Sequence, residues 1–166
     1  MTAILYTSNT GSTERYAKML GEKTGLPVYK LDGSPIPEGT EILYLGWVMA
    51  GGVKGYQEAA KKYRVKGLCG VCMGATGSQI AEVRKANSVP DDVPVFTLQG
   101  GFDISKLHGI YRFMMSVMRK TAGKSLANKS ERTPDEDDML DMMLHGGDRV
   151  SSDHLKAVLE WYGTQK

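Results

Sequence analysis

At 166 residues, with 41% apolar and 24% charged side chains, the chain is long enough for one well-packed domain, and its composition is not that of a disordered or fibrous protein. Its net charge of +2 is too small to argue for nucleic acid, and no apolar run approaches the roughly 20 residues of a membrane-spanning helix. A strand begins almost at the first residue, so no secretory leader is expected and a cytoplasmic protein is the default.

The apolar run around Thr2–Tyr6 predicts a buried strand, and Tyr16, Ala17, Met19 and Leu20 recur at helical spacing over Thr13–Lys23, with Gly25 as the stop. Pro27–Leu31 predicts a short edge strand. Ile42–Val48 predicts a central strand with no clean alternation, as expected where both faces are covered. Then come a helix over Lys54–Tyr63, a strand over Leu68–Met73, a helix over Ser78–Ala86 and a strand over Val93–Leu98. Helices are predicted over Ile104–Thr121, Pro134–Leu144 and Asp153–Tyr162. Thr133 and Glu136 form a capping box before the second, Ser151 or Ser152 caps the last and Gly163 ends it. A polar, mobile linker is expected over Ala122–Arg132.

Strands alternating with helices imply a parallel sheet covered on both faces, with ligands outside the carboxyl ends of the strands. Three rich loops fall there: 7–13, 47–55 and 72–78. The first, Thr7-Ser8-Asn9-Thr10-Gly11-Ser12-Thr13, has five hydroxyls among seven residues, one glycine and no charge. Feeding a helix N-terminus, such a loop suits a phosphate held by backbone N–H groups and hydroxyls. It carries neither the lysine of a P-loop nor the G-x-G-x-x-G of a dinucleotide site, so a single phosphate monoester fits best.

Cys69 and Cys72 are spaced as C-x-x-C. A zinc site would need a second ligand pair, and the three histidines do not supply one. A redox pair would open a helix, whereas this one lies in a predicted strand, where residues three apart face opposite ways. Buried structural thiols are therefore the preferred reading.

Ser8-Asn9-Thr10-Gly11-Ser12-Thr13 matches the [ST]-x-T-G-x-T phosphate loop of the flavodoxin family, and the element order agrees over about the first hundred residues. The chain resembles that family. The resemblance implies an α/β, flavodoxin-like, doubly wound five-stranded parallel sheet of order 2-1-3-4-5 that binds FMN non-covalently, with Ser8, Asn9, Thr10, Gly11, Ser12 and Thr13 on its phosphate. It implies that Trp47, Val48, Met49, Ala50 and Gly51 lie beside the isoalloxazine. There Trp47 stacks on the ring (the alternative is a core tryptophan) and a glycine peptide turns its carbonyl toward flavin N5. Cys72, Met73, Gly74 and Ala75 would line the pyrimidine side, where backbone N–H groups approach O2 and N1, unless Cys72 and Met73 merely finish the strand. The implied role is electron transfer to a redox partner protein or a small-molecule substrate.

The chain departs from the family in charge, being weakly basic where electron-shuttle flavodoxins are usually acidic. Arg112, Arg119, Lys120, Lys124 and Lys129 form a block without an acid, and Asp135–Asp141 a block without a base, so the two are expected to meet. Ile110, Phe113, Met114, Val117 and Met118 make an apolar helical stripe, expected to pack on the sheet; the sharper alternative is a surface for a membrane or a protein. Gly100–Leu107 and the R-F-M-containing helix resemble the flavodoxin-type protoporphyrinogen oxidase branch, which implies oxidation of a reduced tetrapyrrole as the alternative activity. No catalytic acid–base pair stands out, since His108 and Asp103 read as structural. A third reading is a flavin-free, phosphate-binding interaction module on the same fold.

Overall fold

The computed structural model describes residues 1–106 and 108–165. Strands β1 (Ala3–Thr7), β2 (Val28–Lys30), β3 (Glu41–Met49), β5 (Arg64–Cys72) and β6 (Val95–Gln99) form a parallel sheet in the order β2-β1-β3-β5-β6. The two-residue strand β4 (Gly52–Val53) runs back antiparallel on the end of β3. Setting β4 aside, this is the doubly wound order expected from the sequence.

Alternation along the strands explains the layers. On β3, Ile42 and Tyr44 face one side and Leu43 and Leu45 the other. The first pair packs with Leu5 and Leu68 against α2 (Tyr56–Lys62) and α3 (Ile80–Asn87), through Tyr56, Ala59 and Val83. The second packs with Ile4, Cys69 and Leu98 against α1 (Ser12–Thr24) and α7 (Lys156–Gly163), through Tyr16, Leu20 and Val158. Cys69 and Cys72 are both buried and unbridged; Cys69 lies in the second layer, while Cys72 is on the other face of β5.

Tyr16 ties the C-terminal segment to the sheet. Its hydroxyl donates to the Gln99 carbonyl (2.5 Å) and lies 2.7 Å from His154 Nδ1, while the Ser151 N–H donates to it (3.3 Å). The carbonyl only accepts, so the phenol spends its one proton there and His154 must donate from Nδ1. Burial raises the Tyr16 pKa from 10.0 to about 12. Between those values the unfolded phenol has lost its proton and the folded one has kept it, so stability falls as pH rises from 10.0 toward 12. Tyr16→Phe removes this contribution: it is expected to be less stable near neutrality, with the wild-type and variant denaturation curves converging through the alkaline window. A constant gap would sink the assignment.

Several boundaries differ from the sequence reading. Gly55, at φ 80°, caps α2, so that helix starts at Tyr56 and not Lys54. The expected Ile104–Thr121 helix is divided into a 3-10 turn (Ile104–Lys106), α4 (Gly109–Met118) and a π-helical turn (Arg119–Gly123); Leu107 lies outside the described residues. Gly109, at φ 57°, marks the break. The expected polar linker is helical in its first half, through that π turn and α5 (Lys124–Ala127). The capping box of α6 (Pro134–His145) is present in full.

Four of the five members of the expected apolar stripe of α4 do not pack on the sheet. Ile110 and Phe113 are 67% and 69% exposed, and Met114 and Val117 are 44% exposed. The helix instead turns Met115 inward, with Met118 beside it, into a small cluster with Phe102, Met142 and Met73. Helical spacing shows that a face is apolar, but not whether anything covers it.

Candidate functional site

All five parallel strands end at one edge, and the chain switches direction between β1 and β3, the place where such sheets leave a crevice. A cavity of about 260 Å³ opens there. Asn9, Thr10, Ser12 and Thr13 line it from the first loop, Trp47, Val48, Met49, Ala50 and Gly51 from the second, and Cys72, Met73 and Gly74 from the third.

In the first loop Gly11 sits at φ 102°, a conformation other residues resist, and caps α1 without a side-chain cap. The amides of the first turn, Ser12, Thr13 and Glu14, are the donors that a helix leaves without intrahelical partners. Two of the expected phosphate hydroxyls have other work. Ser8 Oγ accepts from the Gly11 N–H (3.2 Å), and Ser12 Oγ accepts from the Gly101 N–H (3.0 Å), locking the loop to the end of β6. Ser8 lines no part of the cavity, and Gly11 lines an adjoining polar groove of about 600 Å³ with Arg15, Lys18 and Lys106. The cations of that groove are paired: Arg15 with Asp148 (2.6 Å), Lys18 with Glu14 (2.7 Å) and Lys106 with Asp103 (3.7 Å).

The second loop is a hairpin that the sequence reading missed. Met49 pairs with Gly52 across a two-residue turn of Ala50 and Gly51, at φ 49° and 78°. Two left-handed residues match a type I′ turn. The hairpin is latched by Asn87 at the end of α3, which is only 4% exposed. Asn87 Nδ2 donates to the Gly51 carbonyl (2.9 Å) and the Val83 carbonyl (2.7 Å), and its Oδ1 accepts from the Val53 N–H (2.9 Å). The Gly51 carbonyl is therefore held by α3 through Asn87. Trp47 is half-buried on the cavity wall, with Lys54 Nζ 5.7 Å from its ring centroid, and belongs to neither core layer.

The third loop is tied to β6. Gly77 N–H donates to the Thr97 carbonyl (3.0 Å), Gln99 N–H to Thr76 Oγ1 (2.9 Å), and Thr97 Oγ1 to the Ser78 carbonyl. Ala75 lines no part of the cavity; its carbonyl accepts from Ser78 Oγ (2.6 Å). Cys72 Sγ lies 3.6 Å from the Gly74 carbonyl, and burial pushes its pKa to about 11, so the thiol stays protonated near neutrality.

The largest unanticipated part is a roof. Phe102, Met115, Met118, Met139 and Met143 close the cavity from the far side. Asp138 on α6 accepts from Gln99 Nε2 (2.5 Å) and from Arg149 Nε and Nη2 (3.1 and 2.9 Å), Arg119 donates to the Leu144 carbonyl (2.9 Å), and Phe102 bridges to Gly147. The methionine content of 110–145 was plain in the sequence, but that pattern does not say which methionines face the sheet edge. Among the described residues, no group of three or more His, Cys, Asp or Glu is placed to hold a metal ion, and no helix is long and apolar enough to cross a membrane.

Compared with protein-family models, curated proteins and solved structures, the chain matches none of them.

Proposed function

We propose that the chain binds FMN non-covalently and carries electrons through it, in the cytoplasm, for a redox partner protein or a small-molecule substrate. The observation that carries this reading is the join of two unlike environments. A lysine-free loop, leading into a helix N-terminus without a side-chain cap, opens directly into an apolar slot walled by Trp47, Met49, Met73 and Val71. An anion at the first end and a flat, largely apolar body at the second describe one amphiphilic ligand, a phosphate on an aromatic ring system.

The residues present fit that group. The first-turn amides of α1 and Thr10 would hold its phosphate, and the three loops would hold its ring. When bound, FMN supplies one- and two-electron transfer, while the protein orients it and limits water around it. The methionine roof favours a second reading, an FMN-dependent oxidoreductase of an apolar substrate such as a reduced tetrapyrrole, because it adds apolar wall beyond what the sheet edge requires.

Titrating the folded protein into FMN tests both: quenched flavin fluorescence and saturable uptake are expected. Folded protein that leaves FMN free in solution would overturn the two flavin readings in favour of a phosphate-binding interaction module. Turnover of a reduced porphyrinogen by the loaded protein would put the oxidoreductase first.

A further inference from the structure

Among the described residues, five large apolar side chains are exposed, and four of them, Ile110, Phe113, Met114 and Val117, lie on α4. They are spaced i, i+3, i+4 and i+7, so they form one stripe. At about 100° per residue, that stripe is centred roughly 150° around the helix from Met115, which points into the roof cluster. The helix thus uses one narrow side to cover the cavity and turns a broad apolar face away from the protein.

The charges that α4 and the turns on either side of it carry are of one sign. From residue 104 to residue 130 the chain contains no acidic residue. Four of the five acids of the neighbouring helix α6 are answered by bases that flank it: Glu136 by Lys129 (2.6 Å), Asp137 by Arg132 (2.6 Å), and Asp138 and Asp141 by Arg149 (2.9 and 3.4 Å). Arg112, Lys120 and Lys124 are exposed and have no acidic partner among the described residues. The expected meeting of the basic and acidic blocks therefore involves Lys129, and leaves Arg112 on α4, and Lys120 and Lys124 just beyond it, exposed to solvent.

We infer that α4 is a docking face for an anionic lipid surface, lying in the plane of the interface with Ile110, Phe113 and Val117 in the headgroup–acyl boundary and Arg112, Lys120 and Lys124 among the headgroups. An amphipathic helix with an aromatic residue on its apolar face and cations on and beside it has the composition that such surfaces select. A second copy of the chain is a poor occupant, because two such faces would bring six uncompensated cations together. The inference does not depend on what fills the cavity.

Flotation with phosphatidylcholine vesicles, with and without phosphatidylglycerol, tests it. Partition onto the anionic vesicles is expected at low salt, with much weaker partition onto the zwitterionic ones. Neutralising Arg112→Gln, Lys120→Gln and Lys124→Gln together is expected to lower partition by about a hundredfold, taking roughly fivefold for each cation near an anionic surface. Ile110→Gln with Phe113→Gln is expected to lower it roughly tenfold or more, since these apolar groups would no longer leave water. All five side chains are exposed, so circular dichroism and melting temperature should match wild type. Absence of anionic-vesicle binding, or partition unmoved by the apolar pair, overturns the proposal. So does binding to polyglutamate in place of vesicles, or concentration-dependent self-association lost with Phe113→Gln; these would assign the face to an acidic protein or to a second copy.

Discussion

Thr10→Asp is expected to weaken FMN binding by about a hundredfold or more while changing riboflavin binding only a few-fold. Thr10 is a half-buried residue at the mouth of both the cavity and the adjoining groove, one residue before the Gly11 cap of α1. A carboxylate placed there would stand within about 5 Å of a phosphate held on the first-turn amides. At an effective dielectric near 20, like charges at that distance repel by roughly 3 kcal/mol per charge pair before salt screening. A hundredfold corresponds to about 2.7 kcal/mol, so the estimate leaves room for screening. Riboflavin has no phosphate and should barely respond. The variant should not lose stability, because an acid ahead of a helix N-terminus is favourable to the helix. Isothermal titration with both ligands reads the difference directly. Equal losses for the two would take the phosphate away from this loop.

Asn87→Ala is expected to cost about 3 kcal/mol or more of folding stability and to impair ligand uptake from a position that touches no part of the cavity. Truncation strands the buried Val53 N–H, frees the half-buried Gly51 carbonyl and takes a second donor from the Val83 carbonyl. Each unmet buried group costs roughly 1–3 kcal/mol, less whatever local relaxation restores. The strained turn at Ala50 and Gly51 would lose its tether, and with it the wall formed by Trp47, Val48 and Met49. Urea denaturation measures the first effect. Hydrogen exchange at residues 48–53 measures the second, and should rise there well beyond the change in the rest of the sheet. Asn87→Asp separates packing from bonding. It keeps the shape and the acceptor for Val53 but loses the donor to both carbonyls, so it should also fail. A variant with wild-type exchange at the hairpin would show that Asn87 is not its latch.

The sheet and its order were legible because burial on both faces writes a continuous apolar run, as in Ile42–Val48, and the helices between carry a 3.6-residue period. The two loops at 9–13 and 72–74 were legible for a related reason: small and hydroxyl residues directly after such runs mark strand ends. The β4 hairpin was not, since its turn is Ala50-Gly51 and lacks the Asn or Asp that usually announces two left-handed residues. Asn87 looked like one polar residue at a helix end, and only the fold brings it to a hairpin 34 residues away. The roof was invisible for the same reason. Met115 and Phe113 are two positions apart on one helix, yet one closes a cavity and the other faces solvent.

The strand order also governs when the site can exist. β1 is flanked by β2 and β3, both of which follow it in the chain, and β3 must still wait for β5. The first strand to be made is therefore an inner one, with Ile4 and Leu5 left without lateral partners until residues 28–29 and 43–44 have been added, and β3 and β5 are enclosed later still. Parallel pairings of this kind close long loops before contacts repay them, which makes assembly slow and collapsed intermediates sticky. The loop after β1 needs only β1, α1 and the turn at Gly101, but the slot beside it has no far wall until α6 arrives, more than 120 residues after Thr10. A ligand that spans both would then act as a late fastener on folding, favouring the complete chain over every shorter intermediate.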